Sequence, residues 1–269
     1  MSLFSHSRLS SYENCPLQYR LRYVDQVEIE RRQTVESFMG SQVHRALQFL
    51  HDRLLDGIVL TETELLASLR AEWQRDWHGN IQIVRSENSA DDYLRTAERC
   101  LRNYYRANAP FDNDRTIGTE VEVLFTLDEG EDVQIRGYLD RLAQPEPGVY
   151  EIHDYKTSRR LPSQADVDQD RQLGLYQLAI QTRHPDAREV RLVWHFVAHN
   201  RKFVSHRNSG ALERLKRETL AVVARIANAT EANDFPAKRS RLCDWCDYRA
   251  VCPEWNPVQE SLLLGEERA

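Results

Sequence analysis

Two aspartates and a lysine have the residue types and spacing for acid, base or metal chemistry. Asp140 stands in Gly137-Tyr138-Leu139-Asp140-Arg141, and thirteen residues later comes Asp154-Tyr155-Lys156-Thr157-Ser158. Apolar flanks predict two strands of a core hairpin, turned through Pro145, Pro147 and Gly148. Strand alternation sends Asp154 and Lys156 to one side, with the backbone of Tyr155 between them. A carboxylate and an ammonium are expensive to bury without partners. A divalent cation would satisfy the acids, and the lysine could meet a phosphate or a polarised water. The plain alternative is a structural Asp154–Lys156 ion pair.

Other groups with chemical potential are scattered. His44 falls on a predicted helix and alone reads as a satisfied helix histidine. Glu120 and Glu122 share a predicted strand face and offer one more metal ligand, with Glu122 preferred. His195 and His199, read on one strand face, are structural. Four of the five cysteines lie near the two ends of the chain, as Cys15 and then Cys243-X2-Cys246-X5-Cys252. In an intracellular protein this pattern suits metal binding better than disulfides, and the spacing admits zinc. Cys100, within a helical pattern, reads as a small core residue.

The elements that must position these residues follow from periodicity. A helix over 5–24 is interrupted at Cys15-Pro16, because proline disfavours helix at the residue before it. Further helices start near Ser37 and Thr61 and span about 90–107. The pattern then changes to period two, with strands at 119–127, 133–142 and 149–156 forming a meander. A crossover helix at 168–182, strands at 190–198 and 203–206, and a helix at 210–230 complete a mixed sheet flanked by helices. One domain is expected over 1–264, with a helical insertion or subdomain at 57–110 and a frayed tail at 265–269.

Composition bounds the class. Of 269 residues, 41% are apolar and 29% charged, too apolar for disorder. No run approaches the roughly 18 apolar residues of a membrane helix, and no leader pattern opens the chain, so a cytoplasmic location is expected. A net charge of −6 does not favour a nucleic-acid coat. Basic residues nevertheless cluster at Arg20/Arg22, Arg31/Arg32, Arg159/Arg160 and Lys238/Arg239/Arg241, where single clusters read equally well as solvated surface.

The segments 137–141 and 154–157 together resemble the core of the PD-(D/E)XK nuclease superfamily, and the chain is most similar to its RecB-like exonuclease branch. His44, in Gly40-Ser41-Gln42-Val43-His44, falls where that branch places a metal-binding histidine. Gln172 and Tyr176 form its Gln-X-X-X-Tyr pair on one helix face. The four cysteines resemble the iron–sulfur version found in AddB-type helicase-nucleases and CRISPR-adaptation exonucleases. The resemblance runs from Ser5 to Trp255, and the helices between Thr61 and Ala109 carry no motif of it.

That resemblance implies a restriction-endonuclease-like α/β (α+β) fold. It implies that Asp140, Asp154, His44 and the Tyr155 carbonyl hold Mg²⁺ or Mn²⁺. Lys156 would orient a water or neutralise charge on the phosphate, with Gln172 and Tyr176 holding Lys156 or the DNA backbone. Cys15, Cys243, Cys246 and Cys252 would carry a [4Fe–4S] cluster, with zinc the alternative, stapling residues 236–256 to the first helix. The implied activity is a DNA exonuclease on single-stranded ends, 5′-to-3′ favoured, with some endonuclease activity, in repair, recombination or CRISPR adaptation. Tyr12, Tyr19 and Trp245 are candidate stacking surfaces for bases. The alternative is a catalytically silent DNA-end-binding or scaffold subunit beside a helicase or integrase partner, against which the intact Asp140, Asp154 and Lys156 argue.

Overall fold

The computed structural model describes residues 2–29, 33–85, 87–128, 130 and 133–256. The Arg31/Arg32 cluster, part of the turn near residue 130 and the tail at 265–269 lie outside the described residues. In chain order the elements are β1 (Ser2–Phe4), α1 (His6–Asn14), α2 (Pro16–Tyr19), β2 (Gln33–Thr34), α3 (Val35–Leu55), α4 (Glu62–Asp76), β3 (Ile81–Gln82) and α5 (Ala90–Asn108). They continue with β4 (Arg115–Asp128), β5 (Val133–Glu146), β6 (Val149–Lys156), α6 (Gln164–Asp168), α7 (Arg171–Arg183), β7 (Glu189–Phe196), β8 (Arg201–Ser205) and α8 (Ser209–Glu231). Two compact units result: Met1–Leu3 with Gln33–Lys216, and Phe4–Arg32 with Arg217–Ala269.

The first unit is built on a six-stranded mixed sheet in the order β1-β5-β6-β7-β8, with β4 paired to β5. The meander β4–β5–β6 is antiparallel, as its alternating pattern predicts. The crossover through α6 and α7 makes β7 parallel to β6, in a register that sets Asp154 beside Trp194 and Lys156 beside Phe196. The expected single crossover helix is two helices. The Asp170 side chain accepts a hydrogen bond from Leu173 N and caps a new helix, offering the backbone an alternative to continuing the old one. The strand expected to reach residue 198 stops at Phe196, because Val197–His199 form a 3₁₀ turn closed by Asn200 in the left-handed region.

Helices α3, α4 and α5 share one apolar core with Tyr155 of β6. Thr61 with Glu64, and Ser89 with Asp92, form reciprocal caps that fix the starts of α4 and α5. Phe38 meets the Trp73 and Trp77 rings edge-on at 4.8 and 5.4 Å. Val43, Leu47, Leu50, Leu65, Leu69 and Leu101 are fully buried with them, together with Cys100 and Tyr155 of β6. Each such leucine contributes about 1.5–3 kcal/mol of apolar transfer. The helices within 57–110 therefore anchor the reverse side of β6 from the same core that holds α3.

The second unit is organised on aromatic contacts. Cys15 is extended (φ −160°, ψ 110°) and breaks α1 from α2, with Pro16 at the first helical position where its missing N–H costs nothing. Tyr12 donates to Arg225 O at 3.2 Å and packs edge-on to Tyr19, which stacks on Phe235. Tyr19 is 2% exposed, so it is core rather than a stacking surface for bases. Tyr12 is half-buried with its hydroxyl engaged, whereas Trp245 is 60% exposed. Among the described residues no helix is long and apolar enough to cross a membrane.

Candidate active site

Strand alternation in β6 divides two environments. Asp154 and Lys156 point to one, and His153 and Tyr155 to the other. Lys156 Nζ lies 2.9 and 2.7 Å from the two Asp154 oxygens, and donates its hydrogen bond to Oδ1. Oδ2 is buried without a directed hydrogen bond. Burial raises the Asp154 carboxyl to about 6; the ammonium of Lys156 opposes this and the charge of Asp140 adds to it. Burial disfavours the charge on Lys156, but the paired Asp154 outweighs it and holds the ammonium protonated.

Asp140 Oδ2 accepts from the Tyr155 backbone N–H at 2.7 Å, which locks β5 to β6 where the acids face each other. His44, on α3, donates from Nε2 to the Tyr155 carbonyl at 2.7 Å and places Nδ1 3.4 Å from Asp140 Oδ1. Burial works to lower the His44 pKa, but Asp140, and then Asp154, raise it above the ordinary value. The imidazole thus spans two groups that the resemblance implies as ligands of one cation.

Glu120 completes this cluster, and Glu122 does not. The ligand atoms of His44, Glu120 and Asp140 lie within 4.8 Å of one another. Glu120 has φ +45°, a left-handed residue within a strand, which takes its side chain out of regular alternation. Burial and the Asp140 charge raise its carboxyl. Glu122 instead pairs with Arg136 at 2.9 Å and accepts from Tyr138 Oη at 3.2 Å, which corrects the sequence preference for it. A single left-handed residue leaves no periodic trace, so the choice between two glutamates was not legible in the sequence.

Gln172 and Tyr176 come from the first two turns of α7, where Gln172 Nε2 is 3.4 Å from Tyr176 Oη. Gly137 makes room for that tyrosine, since a Cβ there would sit 2.2 Å from Tyr176 Cε1. Gly137→Ala is therefore expected to displace the Tyr176 ring and cost about 1–3 kcal/mol of stability by overpacking. Thermal melts and phosphodiesterase assays on the folded fraction would check it; wild-type values for both would count against the packing.

Behind β6 lies a buried polar network. Arg141 holds Asp114 at 2.6 and 3.0 Å and His153 at 2.9 Å, and His153 meets His195 Nε2 at 2.8 Å. His51 Nε2 lies 2.7 Å from Tyr104 Oη, itself 3.2 Å from Tyr155 Oη. Asp114, Glu151 and His153 have metal-ligand spacing, but the Arg141 guanidinium already supplies the positive charge there. His195 is thus a network member, whereas His199 lies beyond the strand, exposed and facing Ser158 O at 3.2 Å. The two histidines do not share a strand face.

In the second unit Cys15, Cys243, Cys246 and Cys252 line one pocket. Lys238 N donates to Cys15 Sγ and Ser240 N to Cys243 Sγ, each at 3.4 Å, so backbone dipoles face the sulfurs. Burial raises the Cys246 thiol, and the three neighbouring cysteines add to the shift.

Comparison with known proteins gives the fold a context. A crystal structure from Eubacterium rectale bearing the name "Putative exonuclease" superposes with a TM-score of 0.56 at 12% identity, covering 93% of this chain and 89% of that one. The structure of the protein SSO0001 covers 88% of this chain and 94% of its own, at 16% identity and a TM-score of 0.35. No curated protein matches. Residues 3–253 match the sequence model of the PD-(D/E)XK nuclease superfamily. That match spans nearly the whole chain, and the chain belongs to the PD-(D/E)XK nuclease superfamily.

Proposed function

We propose that this chain is a metal-dependent DNA exonuclease of the RecB-like branch, acting on single-stranded ends with 5′-to-3′ polarity. The observation that carries the reading is the convergence of His44, Glu120, Asp140, Asp154 and Lys156 around the end of β6. The donor set fits a hard divalent cation: carboxylate oxygens, one imidazole nitrogen and the buried Asp154 Oδ2. Asp140, Glu120 and His44 would hold Mg²⁺ or Mn²⁺ with Asp154 and the Tyr155 carbonyl. When bound, the ion supplies Lewis-acid stabilisation of charge on the scissile phosphate. Lys156, kept cationic by Asp154, is positioned to neutralise a phosphate oxygen or orient the attacking water. Gln172 and Tyr176 brace that side of the site.

The test uses single-stranded DNA labelled at either end, incubated with Mn²⁺ or Mg²⁺. Short products released from the 5′ end are expected; an intact substrate with bound protein would instead favour the silent end-binding or scaffold reading.

We also read the four cysteines as ligands of a [4Fe–4S] cluster. One tetrahedral zinc, with Zn–S bonds of about 2.3 Å, would draw its sulfurs to about 3.8 Å apart. A [4Fe–4S] cluster is a wider group held by four thiolates, and the four cysteines line one pocket within their unit. Purified anaerobically, the protein should be brown and contain iron and acid-labile sulfide. Stoichiometric zinc without visible absorption would sink this assignment. Cys246→Ser is expected to reduce folded yield far more than it alters turnover per folded molecule.

A further inference from the structure

Next to the end of β6, in the same unit as the acids, lies a cleft of about 280 Å³ whose lining includes Met39, Tyr93, Arg99, Thr157, Ser158 and Arg159. Its position is tied to the site by the chain itself. Thr157 and Ser158 directly follow Lys156, and Thr157 Oγ1 lies 3.3 Å from where a Gly40 Cβ would stand, one turn before His44 on α3.

The charges around this cleft differ from those elsewhere on α5. Arg95, Arg102 and Arg106 each pair with an acid, namely Asp92, Glu98 and Glu62. Arg99 and Arg159 form no ion pair among the described residues, and both are exposed. The one acid in the lining, Glu36, accepts from Tyr93 Oη at 2.7 Å. The floor is apolar, from Met39 and the Tyr93 ring, and both are buried. Uncommitted guanidiniums and hydroxyls at the mouth of such a cleft match the anionic phosphate of a nucleotide.

We infer that this cleft is the subsite for the nucleotide flanking the scissile phosphate, with its phosphate held by Arg99 and Arg159. The inference rests on the nuclease reading, and its experiment separates the two. Binding of a fluorescent single-stranded oligonucleotide is measured in EDTA across a potassium chloride series. For single strands each phosphate contact contributes a slope of about −0.7 in log K against log salt. Arg99→Ala and Arg159→Ala should each make the slope shallower by about 0.7, while Arg214→Ala, on the exposed side of α8, should keep the wild-type slope.

With Mn²⁺, hydrolysis of the oligonucleotide is then compared with that of bis(p-nitrophenyl) phosphate, which is too small to need the cleft. The ratio of kcat/KM values should fall about ten-fold in each arginine variant, the factor for one lost contact of about 1.4 kcal/mol. It should also fall in Thr96→Trp, which fills the cleft from α5. Wild-type slopes and ratios in all three variants would overturn the subsite. If wild type hydrolyses neither substrate, the nuclease reading fails, and the salt slopes still judge the cleft.

Discussion

Asp154→Ala is expected to lower hydrolysis of single-stranded DNA by roughly a thousand-fold, about 4 kcal/mol of lost transition-state stabilisation. Asp154 is buried, raised by desolvation and by Asp140, hydrogen-bonded to Lys156 through Oδ1 and ion-paired with it through Oδ2. Its removal takes away a ligand and also the partner that keeps Lys156 charged and aimed. DNA binding in EDTA should change little, because no arginine proposed to hold phosphate depends on Asp154. Asp154→Asn serves as the shape-preserving companion: it keeps the packing, loses the charge, and should be equally inactive. A variant that cleaves at the wild-type rate would show that the chemistry lies elsewhere on the fold.

Acidification should destabilise the protein well before ordinary carboxylates titrate. His51, His153 and His195 have pKa values well below 6.5, first from burial and then from the nearby charges of the network, Arg141 among them. Below pH 6.5 the unfolded chain takes up a proton at each, and the folded chain does not. Stability is therefore full above that pH and falls as pH drops through it, by about 1.4 kcal/mol per pH unit per histidine. Asp154, raised to about 6 in the folded state, takes up a proton there and opposes the trend by one. A net of about two protons gives a slope of roughly 2.7 kcal/mol per pH unit, large beside the ~5–15 kcal/mol of a typical domain. Urea midpoints between pH 7.5 and 5.5 would measure it, and His195→Leu should flatten the slope whatever it does to absolute stability. A midpoint independent of pH over that range would contradict the neutral, buried assignment of these histidines.

Both predictions depend on the two faces of β6, and the sequence showed only one of them clearly. The alternation Asp154-Tyr155-Lys156 was enough to pair the acid with the lysine, because a strand has a fixed period of two. Helix starts were legible for the same local reason: Thr61, Ser89 and their acids three residues on are caps that need no tertiary partner. The break at Cys15-Pro16 was legible as well, since proline acts on its own neighbour.

What pattern alone could not decide was set by contacts between distant segments. Glu120 turns towards His44 and Asp140 through one left-handed residue, His153 meets Arg141 of β5 and also His195, and His51 of α3 meets Tyr104 of α5 and Thr116 of β4 across the core. Gly137 reads as an ordinary strand glycine until the Tyr176 ring occupies the space above it. Arg95 and Arg102 find acids within their own helix turn, Arg99 has none at that spacing, and among the described residues the fold brings it no remote acid of the kind that Glu62 supplies to Arg106. The residue types at the site and the spacing of the acid–lysine strand belong to the sequence by itself, because strand and cap geometry are local. The turn of Glu120 towards Asp140, the buried histidines behind β6 and the cleft that gathers Arg99 with Arg159 belong to the tertiary structure, because burial and distant contacts exist only once remote segments meet.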